Sequence, residues 1–449
     1  MRRFWAVFIL FLTACQPVSQ ASSGFIVLFH PDGGLYVGDQ VSMEVIPPSG
    51  WDSQDKQVQV ELGDQVQGSA GFGPFGVGQR NEAILWWVWD TKAMQSGEHT
   101  LNFSILPSGP TWQEVVVLEP TTRMPYSQSA WASTTSDCCT LFYFTSTDAG
   151  RDIEALKNLV DEQAADVSVH MQVDFQQRVS ITFLPRLLGH GGFTSNGIYV
   201  SYLDGNIAGN ITSQVIHHEM VHLLDGSLGG EMRPAMLVEG LAVYMSGGHY
   251  KRDPLLPRAA ALLEINKYIP LKSLMDDFYN QQHEIGYLEA GALIEYMVEK
   301  YGWEAYQDFY RHIPDLGSQE KSLESALNQN FNISLTQLEQ NFQEELKTKV
   351  ITEAVRSDLA LTIEYFDSLR HYQKVLDPSA YFLTAWLPDG EVMRQKGIVA
   401  DFLRGPNNLD NRIFEFLLLT ASHEMVAGHY ILADILLGVI NKTLDLYPK

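Results

Sequence analysis

The sequence has few cysteines, a deficit of basic residues, and no long hydrophobic run after its first residues. Its 449 residues include 3 Cys, which excludes a small fold held together by many disulfides. Acidic residues number 54 against 30 basic residues, so we expect no nucleic-acid partner, because nucleic-acid-binding proteins usually show the opposite balance. No later segment approaches the ~18 consecutive apolar residues of a membrane-spanning helix, which excludes a multi-span membrane protein.

The first fifteen residues have the pattern of an export signal. Arg2 and Arg3 precede an apolar run over 4–12, which is too short to span a bilayer. The run ends in Leu-Thr-Ala-Cys at Cys15, which resembles the lipobox of bacterial lipoproteins. The resemblance implies removal of residues 1–14, lipidation of Cys15 and attachment to a membrane outside the cytoplasm. The alternative is an ordinary secretory signal followed by a chance cysteine.

The rest of the chain has the composition of a folded protein, with 45% hydrophobic and 19% charged residues. Short alternating runs between turn residues predict an antiparallel β-sandwich near the N-terminus, and the stretch WDTKAMQSGEHTLNFSI resembles bacterial Ig-like domains. The next part of the chain contains both segments with strand periodicity and segments with helix periodicity. The last part contains mostly segments with helix periodicity. The expected multidomain order is signal peptide 1–14, tether 15–23, Ig-like β-sandwich 24–120, linker 121–136, α+β domain 137–320 and C-terminal α-helical region 321–449.

Cys138 and Cys139 are adjacent at the start of the α+β domain. A disulfide between neighbouring residues closes a strained ring, so buried free thiols are one interpretation. A vicinal disulfide is the other, because an exported protein lies in an oxidising compartment. The sequence leaves both open.

A metal-binding pattern lies in a predicted helix that begins near residue 212. His218-Glu219-x-x-His222 is an H-E-x-x-H motif, whose two histidines share one helix face. Two imidazoles placed in this way bind one metal ion, and Glu219 is within reach of the water that the ion activates. Zinc suits neutral imidazole ligands and a tetrahedral site with one open position, so we expect one zinc ion per chain. A helix with two surface histidines is the alternative.

The third ligand is predicted to be Glu239. It lies seventeen residues after His222, within the apolar stretch Met236 to Met245. A lone carboxylate in such a stretch is costly unless it is paired or bound to a metal. Leu228 stands where the metzincin pattern has a third histidine, which excludes that arrangement. A salt-bridged structural glutamate is the other interpretation of Glu239.

The motif H-E-M-V-H followed by L-V-E-G-L-A-V-Y resembles the gluzincins, and among them the MA-like peptidases. The resemblance covers about residues 140–345 and includes the later run Tyr287 to Tyr296, but neither the sandwich nor the C-terminal helices. It implies a zincin-like peptidase domain that binds zinc and hydrolyses peptide bonds. Val243 departs from the pattern, because several gluzincins have an acidic residue there. Asp225 is the candidate to orient a ligand imidazole instead.

In the mechanism that this resemblance implies, Glu219 is the general base that takes a proton from the attacking water. Tyr287, His283 and Tyr244 are candidates to stabilise the developing oxyanion. Tyr287 is preferred, because its position is similar to that of the stabilising tyrosine of some gluzincin aminopeptidases. We expect the peptide or protein substrate to pair with an edge strand within residues 192–201.

Two other functions remain open at this point. One is a binding or scaffold lipoprotein with a catalytically degenerate zincin fold, to which the additional sandwich and helical regions would be suited. The other is a zinc hydrolase that acts on a non-peptide amide. The intact set of His218, Glu219, His222 and Glu239 argues against degeneracy.

Overall fold

The computed structural model describes residues 24–75, 80–187, 191–208, 211–380 and 390–447. The predicted signal peptide 1–14, the tether 15–23 and Cys15 lie outside these residues. The described residues up to Met124 form one compact unit, and those from Pro125 onwards form a second. The chain is thus multidomain, with a mostly-sheet N-terminal region and a helical C-terminal half, as expected. Within the described ranges, every helix is too short or too polar to cross a bilayer.

The N-terminal unit is one eight-stranded sheet that nearly closes on itself. Its strands are β1 (Ile26–His30), β2 (Leu35–Tyr36), β3 (Gln40–Ile46), β4 (Gln57–Leu62), β5 (Gln65–Phe75), β6 (Arg80–Asp90), β7 (Gly97–Leu106) and β8 (Thr111–Glu119). The order is β1-β3-β6-β5-β4-β7-β8-β2, and β5 joins the two halves by pairing with β4 and then with β6. Alternate side chains of these strands, including Val41, Trp89 and Phe103, fill the core between the halves.

The second unit contains a five-stranded sheet. Its strands are β9 (Trp131–Thr135), β10 (Cys139–Phe144), β11 (Val179–Leu184), β12 (Gly192–Thr194) and β13 (Ile198–Ser201), in the order β12-β13-β11-β10-β9. The three central strands are parallel, and helix α1 (Asp148–Met171) connects β10 to β11. β12 is an antiparallel edge strand. β9 lies in the predicted linker, where its Ser and Thr residues suggested a loop, although Thr and Trp also suit a strand.

The helices that follow build most of the second unit, and α2 packs against β12 and β13. They are α2 (Thr212–Leu228), α3 (Ala235–Ser246), α4 (Leu255–Glu264), α5 (Leu271–Asp276), α6 (His283–Tyr301), α7 (Trp303–Arg311), α8 (Gln319–Phe331), α9 (Leu335–Lys347), α10 (Glu353–Leu376), α11 (Gly390–Lys396), α12 (Ala400–Leu403), α13 (Leu409–Val426) and α14 (Tyr430–Leu444). α10 packs against α4 and α6 as well as against α13 and α14. The division predicted at residue 320 lies inside this unit and stays a prediction.

Cys138 and Cys139 are joined by a disulfide at the beginning of β10. Cys139 is fully buried, and the backbone N–H of Cys138 donates to the Asp161 carboxylate over 2.9 Å. Of the two interpretations that the sequence left open, the structure has the vicinal disulfide. A disulfide offers no thiolate, so these two sulfur atoms are not metal ligands in this form.

Helices α3 and α6 pack unusually closely because glycines stand at their contact. A Cβ on Gly240 would lie 2.6 Å from the backbone oxygen of Ala290. A Cβ on Gly291 would lie 2.4 Å from a methyl carbon of Val243. The valine at position 243 therefore fills the space that Gly291 leaves. Since Glu239 precedes Gly240 on α3, this contact sets the position of the Glu239 carboxylate.

We expect Gly240→Ala to destabilise the second unit by about 1–3 kcal/mol, because the new methyl group meets backbone that cannot rotate away. Gly438→Ala is the matched control, since Gly438 lies in α14 with open space around it. That change should leave the stability unchanged or raise it by about 0.5–1 kcal/mol. Urea unfolding of the chain from residue 24 onwards measures both. Equal effects of the two substitutions would show that the α3–α6 contact is not tight.

Candidate metal centre and its cleft

Two histidines and one glutamate bring three ligand atoms to one point. His218 and His222 are four residues apart on α2, and Glu239 approaches from α3. The Nε2 atoms of the two histidines are 3.0 Å apart, and Glu239 Oε2 lies 3.3 Å from His218 Nε2 and 3.2 Å from His222 Nε2. The structure thus brings together the three residues that the sequence assigned as ligands.

The spacing of these atoms fits a tetrahedral ion. Ligand distances of about 2.0–2.1 Å around a tetrahedral centre place neighbouring donor atoms about 3.3–3.4 Å apart. The three observed separations of 3.0–3.3 Å are close to that value. Two imidazole nitrogens and one carboxylate oxygen are also ligand types that zinc accepts. The residues present therefore fit a zinc ion in both geometry and chemistry.

Burial and mutual contact shift the pKa values of all three groups. Burial lowers the pKa of His218 to about 4 in spite of its hydrogen bond to Glu239. Burial alone would also lower the pKa of His222, but the carboxylates of Glu239 and Glu219 raise it to about 9. Burial would raise the pKa of Glu239, but its contacts with the two rings hold that pKa well below the usual range. Glu239 is thus an anion between two imidazoles.

Glu219 is held between α2 and the edge strand β12. The Thr194 hydroxyl oxygen lies 2.9 Å from Glu219 Oε2 and 3.0 Å from the Glu219 backbone oxygen, so its single proton is shared between these two acceptors. A Cβ on Gly192 would lie 2.7 Å from a methyl carbon of Val215, so glycine is required for this close approach of strand and helix. Burial raises the pKa of Glu219 to about 7, a value suited to a group that gains and loses a proton near neutral pH.

Tyr279 contacts the carboxylate that completes the cluster. Its hydroxyl donates to Glu239 Oε1 over 2.9 Å from the short 3-10 turn Phe278–Asn280. Glu239 Oε2 faces the histidines, so the two carboxylate oxygens have different partners. A hydrogen bond of this kind fixes the orientation of a ligand carboxylate. No sequence motif indicated Tyr279, because only the folded arrangement of the chain brings that turn to Glu239.

Asp225 lies at the end of α2 and joins three elements. Its Oδ2 accepts from Arg233 Nη1 over 2.6 Å, and its Oδ1 accepts from the Tyr310 hydroxyl of α7 over 2.5 Å. Asp225 is almost fully buried. These bonds fix the end of α2 against the start of α3, so Asp225 helps to set the angle between the two helices that carry the ligands. Its predicted effect on a ligand imidazole stays a prediction.

A second group of histidines and a tyrosine lies beside the ligands. The His249 ring stacks on the Tyr287 ring with centroids 4.2 Å apart, and it lies 5.8 Å from the His218 ring. Glu284 Oε1 is 2.7 Å from His249 Nδ1. His283 is 4.6 Å from Tyr287 between ring centroids. His249, His283 and Glu284 thus form a further group that could hold a cation.

The oxyanion candidates differ in their access to the site. Tyr287 and His283 line the cleft that contains the three ligand atoms. Tyr244 is on a half-buried face of α3 beside Glu295 and Glu299 and is outside this lining. Burial raises the pKa of Tyr287 well above its usual value, so its phenol stays protonated and is a hydrogen-bond donor.

The cleft itself has a volume of about 470 Å³ and is walled by elements that are distant in the sequence. The edge strand β12 and helix α2 form one side, and Tyr279, His283 and Tyr287 form another. Helix α10 supplies Phe366, Leu369 and Arg370. Sequence patterns did not indicate any of these three residues, because they follow the motif by more than a hundred positions and lie in an ordinary amphipathic helix.

We expect the metal-free chain to bind one zinc ion and to gain thermal stability when it does, because ligand binding to the folded state alone stabilises it. His222→Ala or Glu239→Ala should weaken zinc binding by about 100-fold or more. His312→Ala is the control, since His312 is exposed and follows α7 outside the cluster. Isothermal titration with zinc measures all three. Zinc binding that is unchanged in His222→Ala and Glu239→Ala would contradict this assignment.

The cleft therefore contains three candidate metal ligands and, beside them, the Glu219 carboxylate. Phenol groups that can donate hydrogen bonds lie near them. Such a set suits hydrolysis at a polarised carbonyl. No protein-family model matches this chain, and no curated protein matches it significantly.

Proposed function

We propose that this chain is a zinc-dependent peptidase of the gluzincin type, with His218, His222 and Glu239 as ligands and Glu219 as general base. The observation that carries the proposal is the convergence of the three ligand atoms at 3.0–3.3 Å in a cleft that Glu219 also lines. When bound, a zinc ion supplies Lewis acidity at the scissile carbonyl and makes water a nucleophile near neutral pH.

Glu219 moves the protons of the reaction. Its carboxylate accepts a proton from the attacking water and passes it to the amine that leaves. Thr194 donates to Glu219 Oε2 and so fixes the orientation of the carboxylate. The other oxygen, Oε1, is then the one that accepts the proton from water.

The substrate is proposed to bind as an extended strand on β12. Within the part of the chain that the structure describes, this strand pairs with β13 alone, and Gly192, Phe193 and Thr194 line the cleft. Backbone pairing with β12 places a peptide carbonyl beside the ligand cluster without selecting its side chains. Tyr287 is proposed to donate to the oxygen that becomes negative as the carbonyl is attacked.

The finer assignments outside the cleft follow the sequence. We propose that the N-terminal sheet is an Ig-like sandwich that acts as a spacer or binding module, and that the second unit is zincin-like. We also propose that Cys15 carries lipid and anchors the protein outside the cytoplasm. Mass spectrometry of the N-terminal peptide from a membrane extract tests the anchor, and an unmodified Cys15 would contradict it.

Glu219→Gln should lower peptidase activity by about 10²–10⁴-fold, because an amide cannot accept the proton of water. Zinc content should remain at one ion per chain, since Glu219 is not among the converging ligand atoms. The measurement is hydrolysis of a fluorogenic peptide library together with metal analysis of the same samples.

The outcomes separate the alternatives. Activity that survives in Glu219→Gln would show that another group is the base. Wild-type protein with zinc but without cleavage of any peptide would favour a non-peptide amide substrate. Protein that binds no zinc would favour the degenerate scaffold.

Tyr287→Phe should lower kcat by about 10–100-fold and leave KM nearly unchanged, because its phenol acts only on the developing oxyanion. Tyr279→Phe is the matched substitution, since Tyr279 donates to a ligand oxygen of Glu239. It should instead weaken zinc binding by about 10-fold. Steady-state kinetics at saturating zinc distinguishes the two roles. A loss of kcat in Tyr279→Phe alone would transfer the oxyanion role to Tyr279.

A further inference from the structure

The lining of the cleft contains two buried side-chain atoms without a hydrogen-bond partner. They are Gln214 Oε1 and His218 Nδ1, and no other cleft-lining side chain in the described ranges has such an atom. Buried polar atoms without a partner are rare in folded proteins, so each one requires an explanation. One of these two atoms is an acceptor, and the other is a ring nitrogen that can carry a proton. Each is therefore of the type that the other needs.

The two residues lie one turn apart on α2. Gln214 precedes His218 by four positions, and side chains at that spacing share a helix face with their Cβ atoms about 5–6 Å apart. Gln214 is 2% exposed and His218 is 8% exposed, so solvent has little access to either. His218 Nε2 lies 3.3 Å from Glu239 Oε2, so the other ring nitrogen, Nδ1, is directed away from the three ligand atoms.

The carboxamide of Gln214 is held by one weak hydrogen bond. Its Nε2 donates to the backbone oxygen of Ser246, at the end of α3, over 3.5 Å, which is long for a hydrogen bond. A Cβ on Gly248 would lie 3.1 Å from the same nitrogen, so the amide lies between α2 and the turn that follows α3. Since Oε1 has no bond to lose, a small adjustment of this side chain toward His218 costs little.

The nearby carboxylate of Asp225 is already occupied. One of its oxygens accepts from Arg233 and the other from the Tyr310 hydroxyl. Gln214 Oε1 is, in contrast, a buried acceptor without a partner on the same helix face as His218. Of these two acceptors on α2, Gln214 is therefore the one that is suited to the outer nitrogen of the His218 ring.

We propose that Gln214 is a positioning residue for the metal centre, and that its Oε1 accepts a hydrogen bond from His218 Nδ1 when zinc is bound through Nε2. A neutral imidazole has one N–H, so coordination through Nε2 leaves the proton on Nδ1. An acceptor for that proton fixes the orientation of the ring and makes the histidine a more basic ligand. The inference rests on the zinc site of the proposed function.

Two substitutions at Gln214 separate this role from a purely structural one. Gln214→Met removes both the acceptor and the donor, whereas Gln214→Glu removes the donor to Ser246 and keeps an oxygen acceptor. We expect Gln214→Met to weaken zinc binding by about 10–100-fold, and Gln214→Glu to bind zinc as tightly as the wild type does. If the bond to Ser246 were the important one, the two substitutions would weaken zinc binding equally.

The measurement is competition for zinc between the metal-free protein and a chelator of known affinity, together with thermal unfolding of each metal-free variant. Gln214→Asn is a further variant that keeps the amide but shortens the side chain by one methylene. It should also weaken zinc binding by about 10-fold, and it provides the test if Gln214→Met does not fold.

Gln163→Met is the matched control. Gln163 Oε1 lies 3.2 Å from Nδ1 of His217, which is next to His218 on α2 but is not among the converging ligand atoms. This variant also removes an acceptor from a buried histidine. It should therefore lower the unfolding temperature and leave the zinc affinity unchanged.

The outcomes distinguish this inference from the proposed function. Wild-type binding of zinc, with unchanged affinity in Gln214→Met or Gln214→Asn, would overturn the role of Gln214 and leave the metal site standing. Equal losses in Gln214→Met and Gln214→Glu, or an equal loss in Gln163→Met, would overturn it too, since the effect would then be structural. Wild-type protein that binds no zinc would overturn both the role of Gln214 and the proposed function.

Discussion

The second unit depends on one electrostatic constraint: two imidazole nitrogens and a carboxylate oxygen are held within 3.0–3.3 Å of one another inside a buried cleft. Donor atoms with lone pairs facing each other repel unless positive charge lies between them. Burial adds to the cost, because water cannot solvate the Glu239 carboxylate there. A proton shared with His222 meets the requirement in part, and a divalent cation meets it more fully. Three donor atoms arranged in this way could hold a cation.

Such a cluster persists only if the helices that carry it cannot separate. The Asp225 carboxylate bonds to Arg233 and Tyr310, which links the end of α2 to the start of α3 and to α7. On the other side of α3, Gly240 and Gly291 allow α6 to approach within backbone contact. Val243 fills the groove at Gly291, so this face of α3 is closely packed against α6. Tight packing on one side and directional bonds on the other thus hold the helix that carries Glu239.

The parts of the site that local spacing determines could be predicted from the sequence. His218 and His222 converge because residues four apart share a helix face, and Glu239 was indicated by the cost of a carboxylate in an apolar run. Tyr279 and Arg370 could not be predicted, because only tertiary packing brings them to the cleft. The strand β5 could not be predicted for a different reason. Its glycines break the alternating pattern, although Gly68 is required there because a Cβ would lie 2.5 Å from Val88.

The position of α10 is specified by buried charges as well as by apolar contact. The pairs of Asp358 with Lys251 and Arg258, and of Arg186 with Asp377, are largely buried. Buried ion pairs add little net stability, because desolvation offsets most of their attraction, but a misplaced partner leaves an unpaired charge at a cost of about 3–5 kcal/mol. They therefore penalise every other register of α10. Since the cleft-facing turn lies between these pairs, the same bonds that choose the register of the helix also decide which of its side chains line the cleft.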